Sequence, residues 1–255
     1  MGLSVNRIAA GFVAVMLMTQ FASAAEIKVF STIGVKAALG ELIPKFESAS
    51  GHKLTVTWST GSLLAKRMQN GELADVLIAA PAEVAGLVAS GKIAEGSPAT
   101  LSRVMFAVGI KRGTPMPDIS TVDAFKQALL AAKAITYTNP AAGGQSGVYF
   151  AKQLDRMGIA EQIKDKTKFP PAGGFAGALL ISGEADLAIQ SKPELLAVNG
   201  VEVVGPLPGD MAFTSTHTTA LGTAANDPAA AKTFIDFLRT PDAQAVFRAR
   251  GYDPV

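Results

Sequence analysis

The sequence predicts an α/β fold of two lobes, each a mainly parallel sheet flanked by helices, joined by a two-strand hinge. Short apolar strands alternate with amphipathic helices along most of the 255 residues, a pattern typical of parallel sheets with right-handed crossovers. Longer strand-like segments interrupt this pattern near residue 103 and again near residues 210–220. We therefore expect lobe I to comprise residues 25–103 and 213–255, and lobe II residues 104–212.

Residues 1–24 have the pattern of a secretory signal peptide. Arg7 precedes an apolar run, Ile8–Met18, that is short for a membrane span, and Ala22-Ser23-Ala24 supplies the small residues of a cleavage site. We expect cleavage after Ala24 and export to the periplasm. The chain contains no cysteine, so we expect neither disulfides nor the lipid anchor that requires a cysteine at the cleavage site.

Charge and composition argue against several classes of function. The formal net charge is only +2 and no basic tract is present, so we expect no nucleic-acid partner. Two scattered histidines without any cysteine argue against a zinc or iron site, and we expect neither a metal nor a cofactor. Neither a Gly-x-Ser-x-Gly elbow nor a phosphate-binding P-loop occurs. We expect a monomer.

Lobe I begins with three predicted strand–helix units. The strands are predicted at residues 26–30, 54–58 and 74–80, and hydroxyl- and glycine-rich turns follow the first two. The helices behind them keep their apolar residues on one face. Because the carboxyl ends of parallel strands meet at one edge of a sheet, both turns should lie at the edge where open α/β sheets bind ligands.

The rest of the chain repeats this plan. A crossing strand is predicted at residues 101–110, and a second strand-like segment at residues 212–224. Helices after Pro228 and from Pro241 to Arg250 close the chain and are expected to pack on its first half. Lobe II is predicted to contain strands at residues 134–138, 168–169, 185–190 and 201–204, with helices at residues 122–132, 148–157 and 176–182.

Four turns rich in glycine and hydroxyl residues provide the main functional signal. They are Ser31–Gly34, Ser59–Ser62, Gly143–Gly147 and Gly173–Phe175, two from each predicted lobe. A helix start offers unpaired N–H groups and the positive end of a dipole, so it can hold an anion without a metal. We expect the four turns to converge on a small anionic ligand. For one turn alone, the alternative is that Thr60 or a neighbour only caps its own helix.

Two further residues join the turns as candidates for ligand binding. Arg103 lies where the chain passes between lobes and could hold a carboxylate bidentately, although a surface ion pair is an equal alternative. Gln190 ends a buried strand at the ligand edge, whereas the following Glu194 can simply be solvated. The complete candidate set is Ser31, Thr32, Gly34, Ser59, Thr60, Gly61, Ser62, Arg103, Gln145, Ser146, Phe175 and Gln190.

Several of these stretches resemble the periplasmic molybdate-binding proteins of ABC uptake systems. The resemblance is carried by residues 59–65, 71–76 and 146–149 together with Gly251-Tyr252, and it covers the mature chain in order. It implies a type II periplasmic binding protein that closes over an oxyanion by hinge motion, with an ABC transporter permease as partner.

The same resemblance implies a set of ligand contacts and two departures from it. Carried over by position, the contacts fall near Gly34, Ser62, Ser146, Phe175 and Gln190. The oxyanion binders have a serine in place of Gly34 and a tyrosine in place of Gln190. Both departures, with an arginine nearby, favour an organic carboxylate over a molybdate-type oxyanion.

Two functions follow as hypotheses, a leading one that is not enzymatic and an alternative that is. The first is a periplasmic solute-binding protein that captures a small organic carboxylate for ABC uptake. The second arises because residues 31–34, 51–52, 101–104 and 117–120 are similar to a branch of the family that contains aconitate isomerase, which moves a proton in an allylic tricarboxylate.

An enzyme of this kind would need a base within reach of its substrate. The candidates are His217, Lys36 and Tyr137, although a structural role for His217 is an alternative. The other histidine, His52, lies in a polar loop and is expected at the surface.

Overall fold

The computed structural model describes residues 24–171 and 173–253. Within these residues no helix is both long and apolar enough to cross a membrane. The predicted signal peptide falls almost entirely on residues 1–23, outside the described part. The strands are β1 (Glu26–Thr32), β2 (Lys53–Ser59), β3 (Val76–Ala79), β4 (Ala99–Lys111), β5 (Ile135–Tyr137), β6 (Thr167–Lys168), β7 (Leu187–Ser191), β8 (Val201–Pro206) and β9 (Thr214–Leu221). The helices are α1 (Lys36–Ser50), α2 (Gly61–Gln69), α3 (Pro81–Ala89), α4 (Val122–Ala131), α5 (Gln145–Met157), α6 (Ala160–Ile163), α7 (Gly177–Ser182), α8 (Lys192–Leu196), α9 (Pro228–Leu238) and α10 (Pro241–Ala249).

The strands form one path in the order β2-β1-β3-β9-β4-β7-β5-β6, with β8 paired to β4. The outer strands are parallel at both ends of the path, whereas β4 and β9 run antiparallel to their neighbours. The first part of β4, residues 99–105, pairs with β9, and its second part, residues 106–111, pairs with β7 and β8. The long strand β4 therefore links the two halves of the sheet. The lobe boundaries given above stay a prediction.

Apolar side chains form two buried clusters in each half of the sheet. The larger core joins β1, β3 and α1 to the two closing helices, where Phe46 and Phe234 pack with ring centroids 5.0 Å apart. This confirms that α9 and α10 pack on the first half of the chain. The second core surrounds Phe125 and Phe150 beside β5 and β7. Two separately packed halves connected by β4 can therefore hold a cavity between them.

His52 is buried, so the prediction of a surface position is wrong. Its ring is 8% exposed and stacks on Phe46 with centroids 6.2 Å apart. Its Nδ1 accepts a hydrogen bond from the amide of Ala25 at 3.1 Å. A histidine can close a core in this way because its ring covers an aromatic face while a ring nitrogen satisfies a backbone donor.

Replacing Phe46 with alanine should lower the free energy of unfolding by about 3–5 kcal/mol, because the ring is 1% exposed and contacts three other rings. Met116→Ala is the control: this side chain is 60% exposed, and its removal should change stability by less than about 0.5 kcal/mol. Urea unfolding of both variants measures the difference. Equal stabilities would contradict the assignment of Phe46 to the core.

Candidate functional site

A cavity of about 310 Å³ opens between the two halves of the sheet. Residues from each of the four glycine- and hydroxyl-rich turns line it, together with side chains from β4, β7, α8 and β9. The turns contribute Thr32, Ile33, Gly34, Ser59, Thr60, Gly61, Gly143, Gly144, Gln145, Ser146, Gly173 and Gly174.

The start of α2 combines a helix cap with a wall of the cavity. Thr60 is the N-cap of α2, and its Oγ1 accepts a hydrogen bond from the amide of Leu63 at 3.4 Å. Thr60 therefore does cap its own helix, as the alternative for this turn proposed. This cap does not exclude ligand binding, because a single cap leaves the amides of Gly61 and Ser62 without an intrahelical acceptor.

The start of α5 faces the cavity from the other side. This helix begins at Gln145, earlier than the predicted residue 148, so Gln145 and Ser146 belong to its first turn. Its N-cap is Gly144, which has no side chain to cap the first amides. An uncapped helix of 13 residues beside a cavity is a favourable position for an anion.

Gln190 connects the third and fourth turns. Its Oε1 accepts from the amide of Ala176 at 2.8 Å, and its Nε2 donates to Thr138 Oγ1 at 3.3 Å. Ser146 Oγ donates to the same threonine oxygen at 3.2 Å. Gln190 therefore lines the cavity, and its hydrogen bonds also link the segments that carry the third and fourth turns.

The first and second halves of the chain touch at Gly143. This residue has φ of 71°, and a Cβ there would lie 3.4 Å from the Cβ of Ser62. Glycine suits this position because the left-handed conformation and the close approach both disfavour a side chain. The contact brings the second and third turns together.

Four of the predicted ligand-binding residues do not line the cavity. Ser31 is fully buried, Phe175 is half-buried, and Ser62 is exposed. Arg103 is exposed on β4 and its backbone pairs with Asp253. Side chains alternate between the faces of a strand, so the neighbour Val104 lines the cavity while Arg103 does not.

Of the three candidate bases, the structure brings one to the cavity. Lys36 is exposed, with Nζ 5.9 Å from the centroid of the Trp58 ring. Tyr137 is buried among aromatic rings. Neither side chain lines the cavity, whereas His217 does.

His217 is a buried, neutral imidazole on β9. It is 5% exposed, and its Nδ1 lies 3.1 Å from Ser102 Oγ. Burial lowers the pKa of His217 to about 4 because the cation is poorly solvated there. At neutral pH the ring is therefore uncharged and keeps one nitrogen lone pair for accepting a proton.

Gly34 makes room for this imidazole. A Cβ at position 34 would lie 2.7 Å from His217 Nε2. The carbonyl of Gly34 accepts a hydrogen bond from the Tyr252 hydroxyl at 2.7 Å, which fixes the turn against β9 and the C-terminal segment. A serine at this position therefore cannot coexist with His217 as it is placed here.

Glu194 is a cavity residue that the sequence analysis missed. It is 8% exposed, and its Oε2 accepts from Ser191 Oγ at 2.6 Å. Burial raises the pKa of this carboxyl group above its ordinary value. The motif Ser191-Lys192-Pro193-Glu194 has the Ser-x-x-Glu spacing of a capping box, and this signal could have placed Glu194 at the start of a helix behind β7.

Glu83 is a second carboxyl group at the wall. Its Oε1 accepts from Ser62 Oγ at 3.3 Å, and its Oε2 is enclosed without a partner in the described part of the chain. The cavity-lining residues that the structure describes include no lysine or arginine. Nor do residues 24–171 and 173–253 contain a cluster of three or more histidine, aspartate or glutamate side chains that could hold a metal ion.

Comparisons with known proteins agree with this architecture. The family model described as bacterial extracellular solute-binding protein matches residues 27–253. The chain belongs to this family. Its relatives include the aconitate isomerase of a Pseudomonas species, which is 32% identical over 90% of this chain and 88% of that protein. The molybdate-binding protein ModA of Escherichia coli K12 is 25% identical over 89% of this chain and 88% of that protein.

Solved structures in the family share the fold. The periplasmic molybdate-binding protein of Azotobacter vinelandii superposes with a TM-score of 0.74 at 18% identity, covering 89% of this chain and 98% of that chain. The predicted fold class, a type II binding protein of two α/β lobes, is confirmed. The resemblance to the molybdate-binding proteins and to the branch with aconitate isomerase is confirmed as well.

Gly34→Ser should displace the imidazole of His217 and lower the free energy of unfolding by about 1–3 kcal/mol, because the added atoms overlap Nε2. NMR signals of the His217 ring report the displacement. Gly40→Ser is the matched control, since no atom lies within 4 Å of a Cβ at that helical position. An unchanged His217 signal in Gly34→Ser would contradict the steric argument.

Acidification should destabilise the protein through His217. Its folded pKa of about 4 lies below the unfolded value of 6.5, so the unfolded chain takes up a proton first, and stability falls as the pH drops from about 6.5 to about 4. The full effect is about 3 kcal/mol. Urea unfolding at several pH values should show a smaller loss for His217→Gln. An equal loss in both proteins would contradict the buried neutral imidazole.

Proposed function

We propose that the chain is an exported isomerase that moves a proton within an allylic tricarboxylate of the aconitate type. The observation that carries this proposal is a buried neutral imidazole, His217, at the wall of a cavity that the starts of α2 and α5 also line. The helix starts suit the carboxylates of such a substrate, and the imidazole suits the chemistry at its carbon atoms.

The carboxylates are held mainly by backbone amides. The starts of α2 and α5 present first-turn N–H groups to the cavity, and no lysine or arginine lines the described part of it. Each such hydrogen bond adds on the order of 1 kcal/mol, and more when the acceptor is charged. A ligand with several carboxylates can use both helix starts at once, because the two turns approach each other where Gly143 meets Ser62.

His217 is suited to take a proton from the substrate. In the tautomer that carries its proton on Nδ1, the ring donates to Ser102 Oγ, 3.1 Å away, and Nε2 keeps a free lone pair. Bound carboxylates place negative charge nearby, which favours the imidazolium and so raises the proton affinity of Nε2 in the complex. The base therefore becomes stronger when the substrate is bound.

One comparison and one contact in the structure support an isomerase over a molybdate binder. Aconitate isomerase is the relative that shares 32% identity over nearly the whole chain. The overlap between a Cβ at Gly34 and His217 Nε2 also separates this site from one built around a serine hydroxyl at that position.

A second candidate function is retained from the family itself. A bacterial extracellular solute-binding protein that captures a small organic anion in the periplasm would present it to an ABC transporter permease. This candidate needs the same anion-binding turns and does not need His217 as a base.

Purified protein incubated with cis-aconitate should form the trans isomer, followed by proton NMR, because the proposed base lies at the wall of the cavity that binds the substrate. His217→Gln should reduce kcat by about 10²–10⁴-fold, the usual contribution of a general base, while thermal stabilisation by the ligand persists.

The outcomes separate the two candidates. Saturable thermal stabilisation by tricarboxylates without turnover would contradict the isomerase and support the binding protein. A large thermal shift with molybdate and none with tricarboxylates would contradict both organic-anion proposals.

A further inference from the structure

We propose that Glu194 is a second proton carrier in this cavity, delivering a proton to one end of the allylic unit while His217 removes a proton from the other end. This inference rests on the isomerase function proposed above and names the residue that completes the reaction.

The reaction requires both a proton acceptor and a proton donor. His217 Nε2 takes a proton from the methylene carbon, and the electron pair of the broken C–H bond forms the new double bond. The pair of the former double bond takes a proton from the Glu194 carboxyl group. The imidazolium then gives its proton to water and the carboxylate takes one from water, so both groups return to their starting states without an oxidant or a co-reactant.

Glu194 reaches this cavity through the short helix α8. Its position is fixed by the hydrogen bond from Ser191 Oγ at 2.6 Å and by the C-terminal segment, where Gly251 packs so closely on α8 that a Cβ would lie 2.8 Å from Leu196 Cδ1. The adjacent Tyr252 has its ring centroid 6.3 Å from that of His217. The C-terminal segment therefore packs against α8 and against His217 on β9, and the Glu194 and His217 side chains both line the cavity.

Their environments prepare the two groups for opposite tasks. Burial disfavours the charged form of each, so the pKa of the His217 imidazole is lowered and the pKa of the Glu194 carboxyl group is raised. The first is thereby kept as a neutral acceptor and the second is biased toward a neutral donor. The two shifts are opposite in direction, and both favour the uncharged form of the group. Other polar groups near the pair are Ser102, Ser191 and Tyr252. The pKa of the Tyr252 hydroxyl is raised by burial and by the charge of Glu194.

Glu194 also has a structural role, which the test must separate from proton transfer. It is the third residue of α8, and it accepts the hydroxyl of the N-cap residue Ser191. Glu194→Gln keeps the shape and an oxygen that can accept this hydroxyl, but it cannot deliver a proton at neutral pH.

The test compares Glu194→Gln with wild-type protein using cis-aconitate as substrate. The variant should keep its melting temperature within about 2 °C and its KM within about threefold, while kcat falls by at least about 100-fold. Glu184→Gln is the matched control, because Glu184 also accepts a serine hydroxyl, from Ser182 at 2.7 Å, but is exposed away from the cavity. This control should behave as the wild type.

A second measurement follows the origin of the delivered proton. In D₂O, a Glu194 carboxyl group that equilibrates with solvent should place one deuterium in the product methylene in each wild-type turnover, seen by NMR. Products that retain the substrate proton would instead indicate a single carrier and would overturn the inference.

The outcomes distinguish this inference from the function on which it rests. Absence of turnover by the wild-type protein overturns the isomerase and the role of Glu194 together. Wild-type turnover with undiminished kcat in Glu194→Gln overturns the role of Glu194 alone. A variant in which stability falls and KM rises along with the loss of kcat assigns Glu194 a structural role through Ser191 and likewise overturns the inference.

Discussion

Negative charge must be balanced in this cavity without basic side chains. Among the described residues that line it there is no lysine or arginine, and two glutamates are present. The starts of α2 and α5 supply the available positive potential, since their first-turn amides have no intrahelical acceptors. Close packing within the protein explains why the turns are rich in glycine. A Cβ would lie 2.7 Å from His217 Nε2 at Gly34 and 3.0 Å from the carbonyl oxygen of Pro171 at Gly174.

Close packing fixes the position of the His217 imidazole against the backbone around it. Gly34 leaves the space that His217 Nε2 occupies, and the hydroxyl of Tyr252 holds the carbonyl of Gly34. These contacts join β1, β9 and the C-terminal segment, which are far apart in sequence. Within the fold shared with the molybdate-binding relatives, this packing places an imidazole at the wall of the cavity.

Much of the fold could be predicted from the sequence because strands and helices depend mainly on local patterns of apolar residues. The alternation of apolar strands and amphipathic helices gave strands within about two residues of β1, β2 and β7. The helix α8 is short, contains Pro193 and carries no apolar periodicity, so it was missed. Because α8 was not predicted, the position of Glu194 at the cavity was not predicted either.

The site was harder to predict for a physical reason. The turns were identifiable because glycine and hydroxyl residues mark helix starts. The placement of Arg103 depended on which face of β4 it occupies, a property set by tertiary pairing with β9 and by the bridge to Asp253. The burial of His52 and the packing of Gly34 against His217 likewise arise between segments that the sequence does not show to be neighbours.

A crystal structure with trans-aconitate bound tests the central claim most directly. The account predicts carboxylate oxygens about 2.7–3.2 Å from first-turn amides of α2 and α5, with an allylic carbon facing His217. A ligand held by arginine or lysine side chains outside the cavity, or one with its carbon chain turned away from His217, would contradict it.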